Sequence, residues 1–182
     1  MTAPTFLIAV PQLLDPNFRQ SVVLLLERNE DGAMGVVINH DSPLLLKDLC
    51  ADHSIPYQGD GEKRVRKGGP VQPEQGLVLY ADTHEDPEGR EVFDGLHVSA
   101  SRGTLGRLCD LAGGRFQCYS GYAGWGPGQL EGEIESGAWL VVDAEPDDVF
   151  DSEPDDLWRS VLRRQGGRLA WLASAPDDLT AN

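Results

Sequence analysis

The residue types most suggestive of chemistry fall in one glycine-rich stretch, Gly121-Tyr122-Ala123-Gly124-Trp125-Gly126-Pro127-Gly128-Gln129-Leu130-Glu131. It lies between an expected strand, Phe116 to Tyr122, and an expected short helix near Gln129 to Ser136, and Asp143 follows 19 residues after Gly124. A dinucleotide fingerprint has this outline: glycines let the backbone approach a pyrophosphate, the helix start binds it, and an acid holds the ribose. The pattern fails in detail. G-x-G-x-x-G counted from Gly124 needs glycine at position 129, which is Gln129, and Trp125 puts a bulky ring where backbone must come close. The helix is also too short for a crossover between parallel strands, which takes a dozen or more residues. A glycine-shaped turn anchored by Trp125 is the simpler reading. The same residues also permit a small-ligand surface formed by Asn39, Gly124, Trp125, Gln129 and Glu131, polar or amphipathic groups at turns beside apolar strands.

A second candidate is cationic. Lys63, Arg64, Arg66 and Lys67 put four basic residues into five positions just before Gly68-Gly69-Pro70. Arg64, Arg66, Lys67, Gly68 and Gly69 could form an anion patch, with glycine freeing backbone amides; they could equally be a strand edge protected by charge. The stretch from Asp143 to Asp156 is the opposite, eight acids in fourteen residues. Asp155 and Asp156 suit the first turn of a helix, and Arg163 and Arg164 its last turn. The calcium-loop pattern with its central glycine and terminal glutamate is missing, so no metal is expected there.

Searches for H-E-x-x-H, G-x-S-x-G and G-x-x-x-x-G-K-[ST] return nothing. His40, His53, His84 and His97 are scattered, and His84-Glu85-Asp86 reads as a polar loop. The catalytic residues are therefore unknown, and no cofactor is expected. Of the three cysteines, Cys50 and Cys109 follow leucines in helix-like stretches and read as small core residues, while Cys118 lies in a strand-like run. An odd count with no C-x-x-C pair indicates reduced thiols.

The elements that must position these residues are short. Phe6 to Val10 reads as a strand closed by Pro11; Ser21 to Arg28 and Ala33 to Ile38 read as a β-hairpin around Asn29-Glu30-Asp31-Gly32. Val22 to Leu26 is continuously apolar, as in a strand covered on both faces. Ser42 is expected to cap a short helix with Pro43 at its first position, running through Leu46, Leu49 and Cys50. Strands are expected at Val65, Leu77 to Ala81, Glu91 to Phe93 and Ala138 to Val142. A helix is expected from Ser101 through Leu105, Leu108, Cys109 and Ala112, ended by Gly113-Gly114. Another runs from Asp155 to Gln165, burying Leu157, Trp158, Val161 and Leu162, and stops at Gly166-Gly167 before the apolar stretch Leu169 to Ala173. Strands outnumber long helices and no linker interrupts the 182 residues, so one α+β domain over 1–182, built on a mixed, largely antiparallel sheet, is expected.

The chain carries 30 acidic against 15 basic residues, a net charge of −15. That charge repels phosphate backbones at long range and disfavours nucleic acid. No apolar run reaches the ~18 residues of a membrane span. Met1-Thr2-Ala3-Pro4 lacks the basic start of a secretory signal, which makes the cytoplasm the expected location.

Three blocks in this order, Asn29 to Asn39 (NEDGAMGVVIN), Gly68 to Gln72 (GGPVQ) and Gly121 to Glu131 (GYAGWGPGQLE), together resemble the AlgH family, also called YqgE-like. Pro11, Asp15-Pro16, Phe18 and Leu157-Trp158 fit it too. The resemblance implies a single α+β domain with several short helices on a mixed sheet that curls towards a barrel. Its members are often labelled transcriptional regulators, and it supplies no accepted catalytic residues. His40-Asp41 departs from the Arg-Pro common after the asparagine in such proteins. Three readings stay open: a regulatory role through protein or ligand contacts, a small-molecule binder or enzyme near Gly121 to Glu131, and a scaffold whose glycines serve only the fold. The partner is an unspecified protein or small molecule, and the assembly a monomer or small homo-oligomer.

Overall fold

The computed structural model describes residues 4–81, 86–93, 95–111 and 114–174. In chain order the elements are β1 (Thr5–Ala9), β2 (Val22–Asn29), β3 (Gly32–Val37), β4 (Asp41–Leu45), α1 (Leu46–Asp52), β5 (Arg64–Lys67), β6 (Val71–Ala81), β7 (Arg90–Phe93), β8 (Leu96–Ser99), α2 (Arg102–Asp110), β9 (Arg115–Trp125), α3 (Gln129–Glu135), β10 (Trp139–Asp143), α4 (Pro146–Phe150), α5 (Pro154–Gln165) and α6 (Gly167–Leu172).

The strands form one ten-stranded sheet in the order β10-β1-β2-β3-β9-β6-β8-β7, with β5 beside β9 and β4 beside β5. The hairpin pairs Val23 with Val37 and Asn29 with Gly32. Among the described strands only β5 and β9 run parallel, so the sheet is mixed and largely antiparallel. It does not close into a barrel: β10 and β7 end its hydrogen-bonded path. Arg90 of β7 reaches across and donates to the Leu26 carbonyl of β2 at 3.2 Å, which draws that edge inward.

The inner face buries the largest core. Phe6, Ile8, Leu24, Val36, Leu79, Leu96 and Tyr119 meet Val149, Leu157, Trp158, Val161 and Leu162 of α4 and α5 there. Trp158 donates from its indole to the Ala9 carbonyl at 2.7 Å, which satisfies the one polar atom of a ring only 2 % exposed. The alternate residues of β1, β2, β3 and β9 face outward, with Leu7, Val23, Val37, Ala123 and Trp125 lying beneath α3 and Phe18. Val65, Val78, Phe116 and Cys118 face outward beneath α1 and α2. Both faces are thus covered, as the unbroken apolar run of β2 requires.

One residue makes this division possible. Along β9, Phe116 and Cys118 point outward and Tyr119 inward, yet beyond Gly121 it is Tyr122 that points inward and Ala123 and Trp125 that point outward. A regular strand alternates strictly, so the phase has slipped by one residue. Gly121 adopts φ +69°, and a Cβ there would run into the carbonyls of Gly69 and Val71. The slip is a β-bulge of the kind glycine permits.

Several expectations need correction. Ser42 and Pro43 belong to β4 and not to a helix; the Ser42 hydroxyl donates to the Val65 carbonyl at 2.6 Å, and α1 starts only at Leu46. The residues expected as a turn, Gly121 to Trp125, complete β9, and the chain turns at Gly126 to Gly128. Two elements went unread, β8 and α4. Leu169 to Leu172 lies in α6. The helix from Ser101 ends at Asp110, before Ala112 and Gly113, which lie outside the described residues, as does His84. Ser101 is its N-cap, with the hydroxyl accepting from Gly103 N at 3.0 Å.

Candidate functional site

The residues singled out in the sequence separate into three places. Trp125 is 6 % exposed and sits in an aromatic cluster with Phe18 and Trp139. Its indole donates to the Glu133 carboxylate at 2.9 Å, and the Trp139 indole donates to the same oxygen at 2.8 Å. Gln129 extends this network, accepting from Gly126 N at 3.1 Å and donating to Glu133 Oε1 at 2.9 Å. Glu131 holds an ion pair with Arg28 at 2.8 Å on the outer surface, and Gly124 is exposed nearby. The sequence offered Glu133 no special status, although its spacing from Gln129 places both on one helical face.

Asn39 lies elsewhere. It is buried, its Oδ1 accepts from Val22 N at 2.7 Å, and its Nδ2 donates to the Gln20 carbonyl at 2.9 Å. It clamps the entry to β2 to the end of β3.

The basic run divides as well. Arg66 is buried and donates to the Ile38 carbonyl at 2.9 Å; Arg64 is exposed and donates to Ser42 O; Lys67 is exposed. Gly68 N donates to Ser120 O at 2.8 Å, so this amide is not free for an anion. Lys63 donates to Phe116 O at 2.6 Å and lies 4.0 Å from the centre of the Phe116 ring. Four of the acids between Asp143 and Asp156 pair with cations: Arg164 with Asp148 at 2.7 Å and Glu145 at 3.2 Å, and Arg115 with Asp147 and Asp151.

Two adjoining chambers form a cleft in the surface. An apolar chamber of about 300 Å³ opens between the sheet and the two helices α1 and α2, walled by Leu44, Leu49, Ile55, Val65, Leu77, Val78, Leu105 and Cys118. Arg102 straps one side of it, donating to the His53 carbonyl from Nε at 2.8 Å and Nη2 at 2.6 Å and so tying the start of α2 to the end of α1. A polar hollow of about 830 Å³ lies alongside, with Asn39, His40, Asp41, Lys67, Gly69 and Asp155 on its walls. Leu44, Pro73 and Ser120 belong to both. Pro73 stands there because β6 bulges away from β9: Val71 pairs with Tyr122 while Gly76 pairs with Ser120, leaving the exposed segment Gln72 to Gln75 arched over the junction.

His40 is the titratable base of the hollow. Burial lowers its pKa from 6.5, partly offset by its bond to Arg19 O and reinforced by the Lys67 charge, so the ring is neutral at pH 7. Its Nε2 lies 3.1 Å from the Arg19 carbonyl, which can only accept. The proton therefore sits on Nε2, and Nδ1 presents a lone pair. The hollow thus combines a neutral acceptor, an ammonium and two carboxylates beside an apolar chamber. Asn39, Lys67 and Gly69 from the sequence candidates line it, whereas Gly124, Trp125, Gln129 and Glu131 line neither chamber. Residues of the apolar chamber carried no signal a sequence could show, since Leu49 and Leu105 read as ordinary core positions.

An open, curled α+β sheet with an amphipathic cleft on its helical side defines the class of protein. The chain belongs to the AlgH-like family, whose model matches residues 6–170. It is 46% identical over 165 residues to a UPF0301 protein of Myxococcus xanthus (90% of this chain, 91% of that protein) and 41% identical to a UPF0301 protein of Streptomyces coelicolor (97% and 93%). The solution structure of AlgH from Pseudomonas aeruginosa matches with a TM-score of 0.77 at 35% identity, covering 95% of this chain and 93% of that one. A crystal structure from Corynebacterium diphtheriae matches with a TM-score of 0.78 at 26% identity, covering 96% and 93%.

Proposed function

We propose that this protein is a single-domain regulatory protein of the cytoplasm that works by binding a small amphipathic molecule in its cleft. The observation that carries this reading is that Leu44, Pro73 and Ser120 line both the apolar chamber and the polar hollow, which sets the two side by side. Small-molecule sites are typically apolar cavities with a few convergent polar groups. In this reading the ligand's apolar portion sits between α1 and α2, and its polar portion meets Ser120, Lys67 and the His40 Nδ1 lone pair. The net charge of −15 weighs against strong direct DNA binding. Three free thiols support a reducing compartment. The regulatory output would pass to a protein partner as a change in the helices that wall the cleft.

A thermal-shift screen with amphipathic metabolites tests this, because a ligand that binds only the folded form raises Tm. Leu105→Trp, which fills the apolar chamber, should abolish the shift, and Arg28→Ala, which lines neither chamber, should leave it intact. Shifts that survive Leu105→Trp would place the ligand elsewhere and end the proposal.

A further inference from the structure

The three cysteines lie together where α1 and α2 cover the sheet, and two of them touch. Cys50 Sγ, from α1, is 3.7 Å from Cys109 Sγ, from α2, although 59 positions separate them in the chain. Cys50 is fully buried, whereas Cys109 is partly exposed. Cys118 is buried on β9 below them. Each of the two contacting thiols is on a helix that also contributes a wall of the apolar chamber, Leu49 immediately before Cys50 and Leu105 one turn before Cys109. From the sequence both read as small core residues; the fold makes them neighbours.

We propose that Cys50 and Cys109 are a redox modification site, a dithiol that closes to a disulfide linking α1 to α2. The oxidant is a peroxide, and the exposed thiol meets it first. Cys109 sulfur attacks one peroxide oxygen; the O–O bond breaks, one water leaves, and a sulfenic acid remains. The Cys50 sulfur then displaces the sulfenic oxygen, which leaves as a second water as the S–S bond forms. Two thiols and one hydrogen peroxide become one disulfide and two waters, so two electrons pass from sulfur to oxygen. The sulfurs already stand near van der Waals contact, and a bond needs ~2.05 Å, so forming the link takes a further approach of the two side chains. Burial raises the pKa of both thiols, with that of Cys109 at about 12, which keeps thiolate scarce and the pair reduced until oxidant is abundant. The chemistry is independent of what fills the cleft.

The test uses the full chain in its native state. It is treated with hydrogen peroxide, then denatured and alkylated with iodoacetamide, and mapped without reduction. The expected product has lost two hydrogens, takes up one alkyl group at Cys118 in place of three, and yields a linked Cys50–Cys109 peptide that dithiothreitol releases. Its Tm is higher than that of the reduced protein, because the link restrains the unfolded chain. Cys118→Ser forms the same link. Three alkylated cysteines after treatment, a sulfinic acid on Cys109 with Cys50 still a thiol, or a link involving Cys118 would each overturn the proposal. Mapping is done on the unsubstituted chain, so the outcome does not depend on any variant folding.

Discussion

Trp125 and Glu133 are joined by a 2.9 Å hydrogen bond, and the same carboxylate oxygen accepts from Trp139 at 2.8 Å. One acid therefore satisfies two buried indoles whose rings meet edge to face, 5.9 Å between centres. The glycine-rich segment ends by inserting Trp125 into the protein and locking it from α3. A buried donor that loses its acceptor costs roughly 1–3 kcal/mol. Glu133→Ala should therefore destabilise the fold by about 2–6 kcal/mol for the two donors together, read as a lower urea midpoint. Glu133→Gln retains an acceptor and should lose less. Equal losses for the two variants would mean that the indole bonds are not what Glu133 supplies.

Asn39 should behave as a clamp. Asn39→Ala removes both the acceptor for Val22 N and the donor to Gln20 O, and about 2–3 kcal/mol of stability is the expected loss. Asn39→Asp keeps the acceptor alone and should fall between. Chemical denaturation of both variants checks the order.

Gly121→Ala forces a side chain into φ +69° and against the carbonyls of Gly69 and Val71. The left-handed conformation alone costs roughly 1–2 kcal/mol, so the total should exceed that figure. Gly124→Ala has ordinary contacts waiting for its Cβ and should be much milder. Thermal melts of the two variants side by side make the comparison.

Acid sensitivity should be traceable to Asp86. Burial would raise its pKa, but bonds from Thr104, the Glu88 amide, Tyr80 and Arg107 outweigh this and hold it at about 2. Lower in the folded than in the unfolded state, this pKa makes the contribution complete above the ordinary aspartate value near 3.8 and lost as pH falls from there through about 2. Asp86→Asn should therefore flatten the pH dependence of the unfolding midpoint between about pH 4 and 2. An unchanged slope would remove Asp86 from the account.

His40 shifts in the same direction, at higher pH. A base whose pKa is lowered by burial makes the folded state bind fewer protons, so stability should decline as pH falls below 6.5 and level off below the lowered folded value. His40→Gln should remove that component, measured as the difference in Tm between pH 7 and pH 5.

Much of the fold was legible because local chemistry and tertiary demand agree. The hairpin at Asn29 to Gly32 and α5, with Pro154 first, acids in its first turn and arginines in its last, follow from turn, cap and dipole preferences that act within a few residues. Ser42-Pro43 misled because a serine before proline suits a helix start, yet here the hydroxyl finds its partner 23 residues away on Val65. The short β8 and α4 carry too few residues for a period to show.

Composition, turn chemistry and apolar patterning by themselves determined an acidic α+β domain with a glycine-directed backbone near position 121, because those properties reside in single residues and their nearest neighbours. Only the tertiary structure decided that Trp125 is enclosed, that Asn39 is a clamp, that Cys50 meets Cys109, and that Leu44, Pro73 and Ser120 line both chambers. Each of those facts depends on where the sheet brings distant segments together, and no spacing along the chain encodes a distance across it.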